Sequence, residues 1–214
     1  MCISVSKAFS HDKFITLRRV LSHPADSFYA VRHYERGSIY MALICVVLFS
    51  FCFTINRIFA SFIVNNTNPR TVDGLMELSG VFLLYLLFCI GNWSVTCLMN
   101  GEGRFKDIII ITGYSLLPLI MLYIPATILS RVLVSGEEAF YYIITGFSVI
   151  WTVVLILMGV MIIHNYTLVK TIITLLLTFI AMLLIIFIIL LLYDLLNQVY
   201  GFLYSVYTEL SFRY

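Results

Sequence analysis

Arg57 is the one full charge that falls well inside an apolar run of this chain. A guanidinium at a bilayer's centre costs about 2.5–3.5 kcal/mol on insertion scales and usually marks function. Counted from Ser38, where its run begins, Arg57 lies roughly 28 Å along a helix. That is near the opposite interface, where its long stem can snorkel to water; snorkelling is favoured over a buried partner or ligand role. Asn92, between Gly91 and Trp93, carries an amide that needs a partner in lipid, and an interhelical hydrogen bond is the ordinary solution. Pro118 and Pro125 stand seven residues apart on one helical face, and each removes a backbone donor and can bend the helix. A kinked packing helix is the main reading, a gating hinge the alternative.

Gly113-Tyr114-Ser115 echoes a nucleophile turn, and His164 follows on the next apolar run. A Ser–His pair needs hydrogen-bond contact and an oxyanion hole. The turn lacks its closing glycine, and Ser115 sits about two turns inside its helix whereas His164 caps the next, so hydrolysis is a minor reading. His11, His23 and His33 have no metal-ligand spacing. Cys2, Cys45, Cys52, Cys89 and Cys97 form no CxxC pair, and four lie in apolar runs, where they act as small apolar side chains. Asn100–Lys106 (NGEGRFK) lacks the GK[ST] ending of a phosphate loop. The expectation is a chain with no catalytic residues, no metal, no cofactor and no enzymatic activity.

The elements around these residues follow from composition. Apolar residues make up 62% of the 214 and charged residues 11%, with a mean hydropathy of +1.03. A soluble domain carries about a quarter charged residues, so lipid must surround much of this chain. A net charge of +2 gives no reason to expect nucleic acid as a partner. A bilayer core about 30 Å thick needs roughly 20 apolar residues in a helix. Five runs qualify: Ser38–Val64, Leu78–Met99, Asp107–Val134, Phe140–His164 and Thr171–Tyr193. The expected fold is an all-α polytopic bundle of five transmembrane helices. Expected segments are 1–37, cytoplasmic and basic; 38–194, the helical domain; and 195–214, a Tyr-rich tail on the membrane surface or projecting from it.

Cationic residues in loops mark the cytoplasmic side. With the N-terminus inside, that side holds Lys7, Lys13, Arg18, Arg19, Arg32, Arg36, Arg104, Lys106 and Lys170, against Arg70, Arg131 and Arg213 outside. The C-terminus is then outside. Met1–Gly37 is polar, basic and broken by Pro24, unlike a signal peptide. Phe14, Leu17 and Leu21 recur at helical spacing among Lys13, Arg18 and Arg19, a pattern that predicts a basic amphipathic helix on an anionic membrane surface, with a flexible polar tail as the alternative. A second short helix is predicted over Asp26–Arg36.

One stretch resembles a known family. GEGRFKDIIIITGYSLLPLIM is similar to the core signature of the Yip family of small five-helix membrane proteins: Gly101 and Gly103 bracket a turn, Phe105 follows, and Tyr114 stands four residues before Pro118. Pro24 and Phe28 resemble the segment before the family's first helix, and Trp151, Gly159 and His164 its fourth helix and last inner turn. The resemblance covers roughly residues 22–193 and looks most like the short bacterial members, some encoded beside carbohydrate ABC importers. It implies no catalytic residue. It implies a non-enzymatic accessory or scaffold subunit of a bacterial cytoplasmic membrane, in contact with lipids and other integral membrane proteins, ABC importer permeases first among them. A stand-alone transporter or channel, or a membrane-trafficking adaptor, are the alternatives. Arg57, Asn92, Gly101, Gly103, Phe105, Tyr114, Pro118, Pro125, Trp151 and His164 are the structural or partner-binding candidates.

Overall fold

The computed structural model describes residues 11–65, 68 and 71–212; Cys2, Lys7, Arg70, Arg213 and Tyr214 lie outside them. Eight helices occur among these residues: α1 (His11–Arg19), α2 (Pro24–His33), α3 (Ile39–Phe59), α4 (Gly74–Leu98), α5 (Phe105–Tyr114), α6 (Leu117–Ser130), α7 (Glu138–His164) and α8 (Leu168–Phe212). Five units are long and apolar enough to cross a membrane: α3, α4, α5 with α6, α7 and α8. The chain is an all-α polytopic protein.

Hydrogen bonds define two ends of the bundle. At one end Arg32 bonds to Ile162 and Glu102, and Tyr166 to Met99. This end also holds α1, α2 and most of the lysines and arginines, and is called the basic end below. At the far end Asn56, Thr127 and Tyr141 form a buried chain, with Asn56 Nδ2 donating to Thr127 at 2.7 Å and Tyr141 donating to Asn56 Oδ1 at 2.9 Å. The first span stops at Phe59, short of Val64. The last carbonyls of a helix need donors from outside it, and here the Arg131 Nε takes the carbonyl of Phe59 and the Asn65 amide that of Arg57.

The third span is broken, as its prolines predict. Pro118 has no N–H to give the carbonyl of Tyr114, so the helix lapses into a turn at Ser115–Leu116 before restarting at Leu117. The two prolines do not share surroundings: Pro118 is buried, whereas Pro125 is exposed and the helix runs through it. The break lets α5 press against α3. A Cβ on Gly113 would stand 2.7 Å from the Ala42 Cβ and 2.9 Å from its backbone, so only glycine allows this crossing.

The N-terminal helices lie against the spans. α1 and α2 form, and Val20 and Phe28 are fully buried and Val31 nearly so, in one apolar core with Ile108, Ile111, Tyr114 and Leu155. The segment is therefore part of the bundle, with α2 laid across α5 and α7. Apolar partners on the spans outcompete a lipid surface for these three side chains. α8 lies at the periphery, packed chiefly on α4. It is one continuous helix of 45 residues that runs on through Asp194, so residues 195–212 extend the fifth helix, one of the two arrangements the sequence left open.

Candidate functional site

Three helices finish at the basic end in residues with left-handed backbone: Glu35 after α2 (φ 51°), Asn100 after α4 (φ 54°) and Asn165 after α7 (φ 54°). The αL residue lets the chain turn back and cap the helix's last carbonyls. Thus Gly101 N–H donates to Thr96 O at 2.8 Å, and Tyr166 N–H to Met161 O at 3.0 Å.

The turns are knotted together by side chains. Arg32 donates to the carbonyl of Ile162 at 3.0 Å and forms an ion pair with Glu102. The Asn165 amide donates to the same Glu102 carboxylate at 3.0 Å. One arginine and one glutamate therefore join α2, the α4–α5 turn and the end of α7. Arg104 grips Asp107 at 3.0 Å and Glu35 at 2.8 Å, tying the start of α5 to the end of α2. These pairings hold the carboxyls of Glu102 and Glu35 below the ordinary value: the hydrogen bond from Arg32 dominates at Glu102, that from Arg104 at Glu35.

His164 stands beneath the α4–α5 turn. Gly103 N–H donates to its Nδ1 at 3.2 Å, so the neutral ring carries its proton on Nε2, which is buried and without a partner. Tyr166 stacks on the ring at 5.3 Å between centroids, donates to Met99 O at 3.1 Å, and has the Lys170 ammonium 4.0 Å above its face. Gly101 and Gly103 are glycines because a Cβ there would lie 2.5 Å and 2.7 Å from the imidazole. The glycine-bracketed turn is a lid fitted to a histidine. Phe105 opens α5 beside it, edge-on to Trp93 at 5.7 Å.

The other candidates are scattered. Arg57 lies at the far end, as its count along the helix predicts, but its guanidinium pairs with Glu77 of α4 and sits 5.9 Å from the Phe53 ring. Asn92 donates to Thr178 of α8 at 3.2 Å, the interhelical bond expected of it, while its Oδ1 is unpartnered. Tyr114 is fully buried and accepts from Ser38 N–H at 3.1 Å, so it caps α3. Trp151 packs at the core's edge, edge-on to Phe147. Ser115 and His164 are not brought together: the serine donates to Ile111 O at 2.7 Å and the histidine accepts from Gly103. Sequence reasoning missed Arg32, Glu102, Asn165 and Tyr166 as a group. Glu102 lies 70 positions from Arg32, and no local pattern joins them.

The network binds and orients helix ends. No group of three His, Cys, Asp or Glu side chains gathers among the described residues. A groove of about 750 Å³ runs between α1 and α6, lined by Phe14, Ile15, Arg18, Arg19, Leu21, Ser22 and Met121; its cations beside apolar side chains suit lipid. A family model, the Yip1 domain, matches residues 18–207. No curated protein and no solved structure matches the chain.

Proposed function

We propose, from the premise that the chain belongs to the Yip family, that it is a non-enzymatic accessory subunit that binds other integral membrane proteins through its basic end. The observation that carries this reading is the Arg32–Glu102–Asn165 knot, which fixes three helix ends into one preassembled face. A face ordered before its partner arrives loses little entropy on binding. Around the knot, Tyr29, Tyr34 and Arg36 are exposed, and Arg36 lies 5.5 Å over the Tyr34 ring. Tyr and Arg are the residue types that most often dominate interface energies. The concentration of cations at this end supports placing it in the cytoplasm.

The finer reading names the permease of a carbohydrate ABC importer as partner. Family resemblance suggests it, and the filled interior speaks against the alternative of a pathway through this chain itself. The core that joins α2, α3, α5 and α7 is filled by apolar side chains, and the polar chain of Asn56, Thr127 and Tyr141 closes on itself.

The test is purification from native membranes in a mild detergent, with mass spectrometry of what stays bound. A stoichiometric permease that is lost from the Tyr34→Ala/Arg36→Glu variant supports the proposal. A chain that comes out without a second protein, or that moves a solute by itself in vesicles, overturns it.

A further inference from the structure

At 1.5 Å per residue the 45 residues of α8 span roughly 68 Å, more than twice a bilayer's hydrocarbon core of about 30 Å. About twenty residues are enough for one crossing, so roughly half of α8 is in excess of a single span. The inner part is seated: Thr171, Thr174 and Thr178 are fully buried, and Ile185 is half-buried on the same side. From Ile186 onward every described side chain except Thr208 is exposed. Leu196 is 67% exposed and Tyr200 71%. An isolated helix with this much apolar surface is not stable in water.

The uncovered part carries a heptad repeat. With Ile189 at position a, the later a positions are Leu196, Leu203 and Leu210. The d positions are Ile185, Leu192, Val199 and Val206. All eight are aliphatic. Every e position from Tyr193 to Tyr207 is tyrosine, and g holds Leu195 and Phe202 before Glu209. Opposite this face, at f and c, lie Asp194, Gln198, Gly201, Ser205 and Thr208. A 3.5-residue aliphatic repeat over more than three heptads is the pattern of a left-handed supercoil.

We propose that this uncovered part of α8 joins copies of the same chain into a parallel bundle of three or four helices. Four observations point to a second copy as occupant. Copies inserted in one orientation send α8 out on the same side, parallel and starting from one plane, so identical heptads meet in register. The a/d seam continues the face that α4 covers as far as Ile185, and beyond it no described side chain of the seam is covered. From Leu196 outward leucine stands at a and β-branched valine at d, a combination that favours more than two strands, and apolar e and g positions widen the face enough to touch two neighbours. The side chains at a, d, e and g from 189 to 207 offer on the order of 1,000 Å² per helix, matching the roughly 800 Å² that each partner buries in a stable interface. This assembly is independent of any partner at the basic end.

The test is disulfide cross-linking in native membranes, with Cys2 and Cys97 changed to Ser and one new cysteine placed on α8. Val206→Cys, on the seam, is expected to give at least about tenfold more cross-linked product than Ser205→Cys on the outer face. Native mass spectrometry of the unaltered chain is expected to show three or four copies, and Leu196→Asn with Leu203→Asn to reduce this to one. A single-copy mass without seam cross-links overturns the proposal, as does stronger cross-linking at Ser205→Cys. So does a different protein held by the seam. Tyr34→Ala/Arg36→Glu is expected to leave the copy number unchanged, so failure of the basic-end reading and failure of this one are separable.

Discussion

The basic end and the uncovered half of α8 sit in one chain under opposite rules. At the basic end three helices stop side by side; Arg32 takes the carbonyl of Ile162 near the end of one, and the Arg32, Glu102 and Asn165 side chains tie the three turns together. Along α8 beyond Ile185 the backbone satisfies itself, so nothing forces a neighbour close, and the side chains are left open. Helix ends create binding demands that a chain must meet internally; helix middles create faces that another molecule can meet. Stability of the single chain is therefore concentrated where helices terminate and cross, and association where one continues.

That contrast is sharpened most by the close crossing beside the basic end. Gly113→Val drives a side chain into the backbone of Ala42, 2.9 Å from where a Cβ would lie. Overpacking costs about 1–3 kcal/mol, and a rigid backbone neighbour puts this case at the upper end. A thermal melt in detergent, followed by fluorescence of Trp93 and Trp151, is expected to fall by several degrees; an unchanged melt means α3 and α5 are not pressed together. Arg32→Ala comes next. It strips a donor from the part-buried Ile162 carbonyl, an expected loss of about 1 kcal/mol, and leaves the exposed Glu102 to water. A double-mutant cycle with Glu102→Gln should show coupling, and strict additivity would dissolve the knot as a unit.

Acid gives a smaller effect. The carboxyls of Glu102 and Glu35 titrate below 4.5 in the fold. Their contribution is fully present above that value and fades as pH falls through the lowered one. The melting temperature is thus expected to be level from neutral pH down to about 5 and to drop below it, less steeply in Arg32→Ala. A drop that begins near neutrality would point to another group. The smallest effect belongs to the other region. Removing residues 194–212 is expected to shift the single bundle's stability by less than about 0.5 kcal/mol, measured under conditions that separate the copies. A large loss would show that α8's outer half supports the fold.

The five spans were legible because lipid imposes a length on apolar runs, and the break before Pro118 because proline lacks an N–H. Asn92's partner type was legible too, since an amide in lipid has few solutions. The length of α8 was not. Hydropathy registers Asp194 as the end of a span, but Asp194 falls at an outward f position of a helix whose aliphatic seam continues to Leu210. The burial of α2 escaped because only Phe28 and Val31 carry it, among charged and polar neighbours. The glycines of NGEGRFK read as a turn, but their reason, the imidazole of His164 lying 61 residues on from Gly103, belongs to tertiary structure alone.

The seating of α8 also has a mechanical side. Its fixed part runs from Thr171 to about Ile185, some 21 Å, and its free part from there to Phe212, about 40 Å. The helix is a lever whose long arm is nearly twice its short one. Each degree of tilt at the seat carries the tip about 0.7 Å. The pivot is its packing along α4, where Gly91 meets Met182, Asn92 donates to Thr178 at 3.2 Å and Thr174 to the Met99 sulfur at 3.3 Å. In a single copy, a slight change in the tilt of α8 on α4 is thereby magnified along the helix; copies joined along the seam would have to share it.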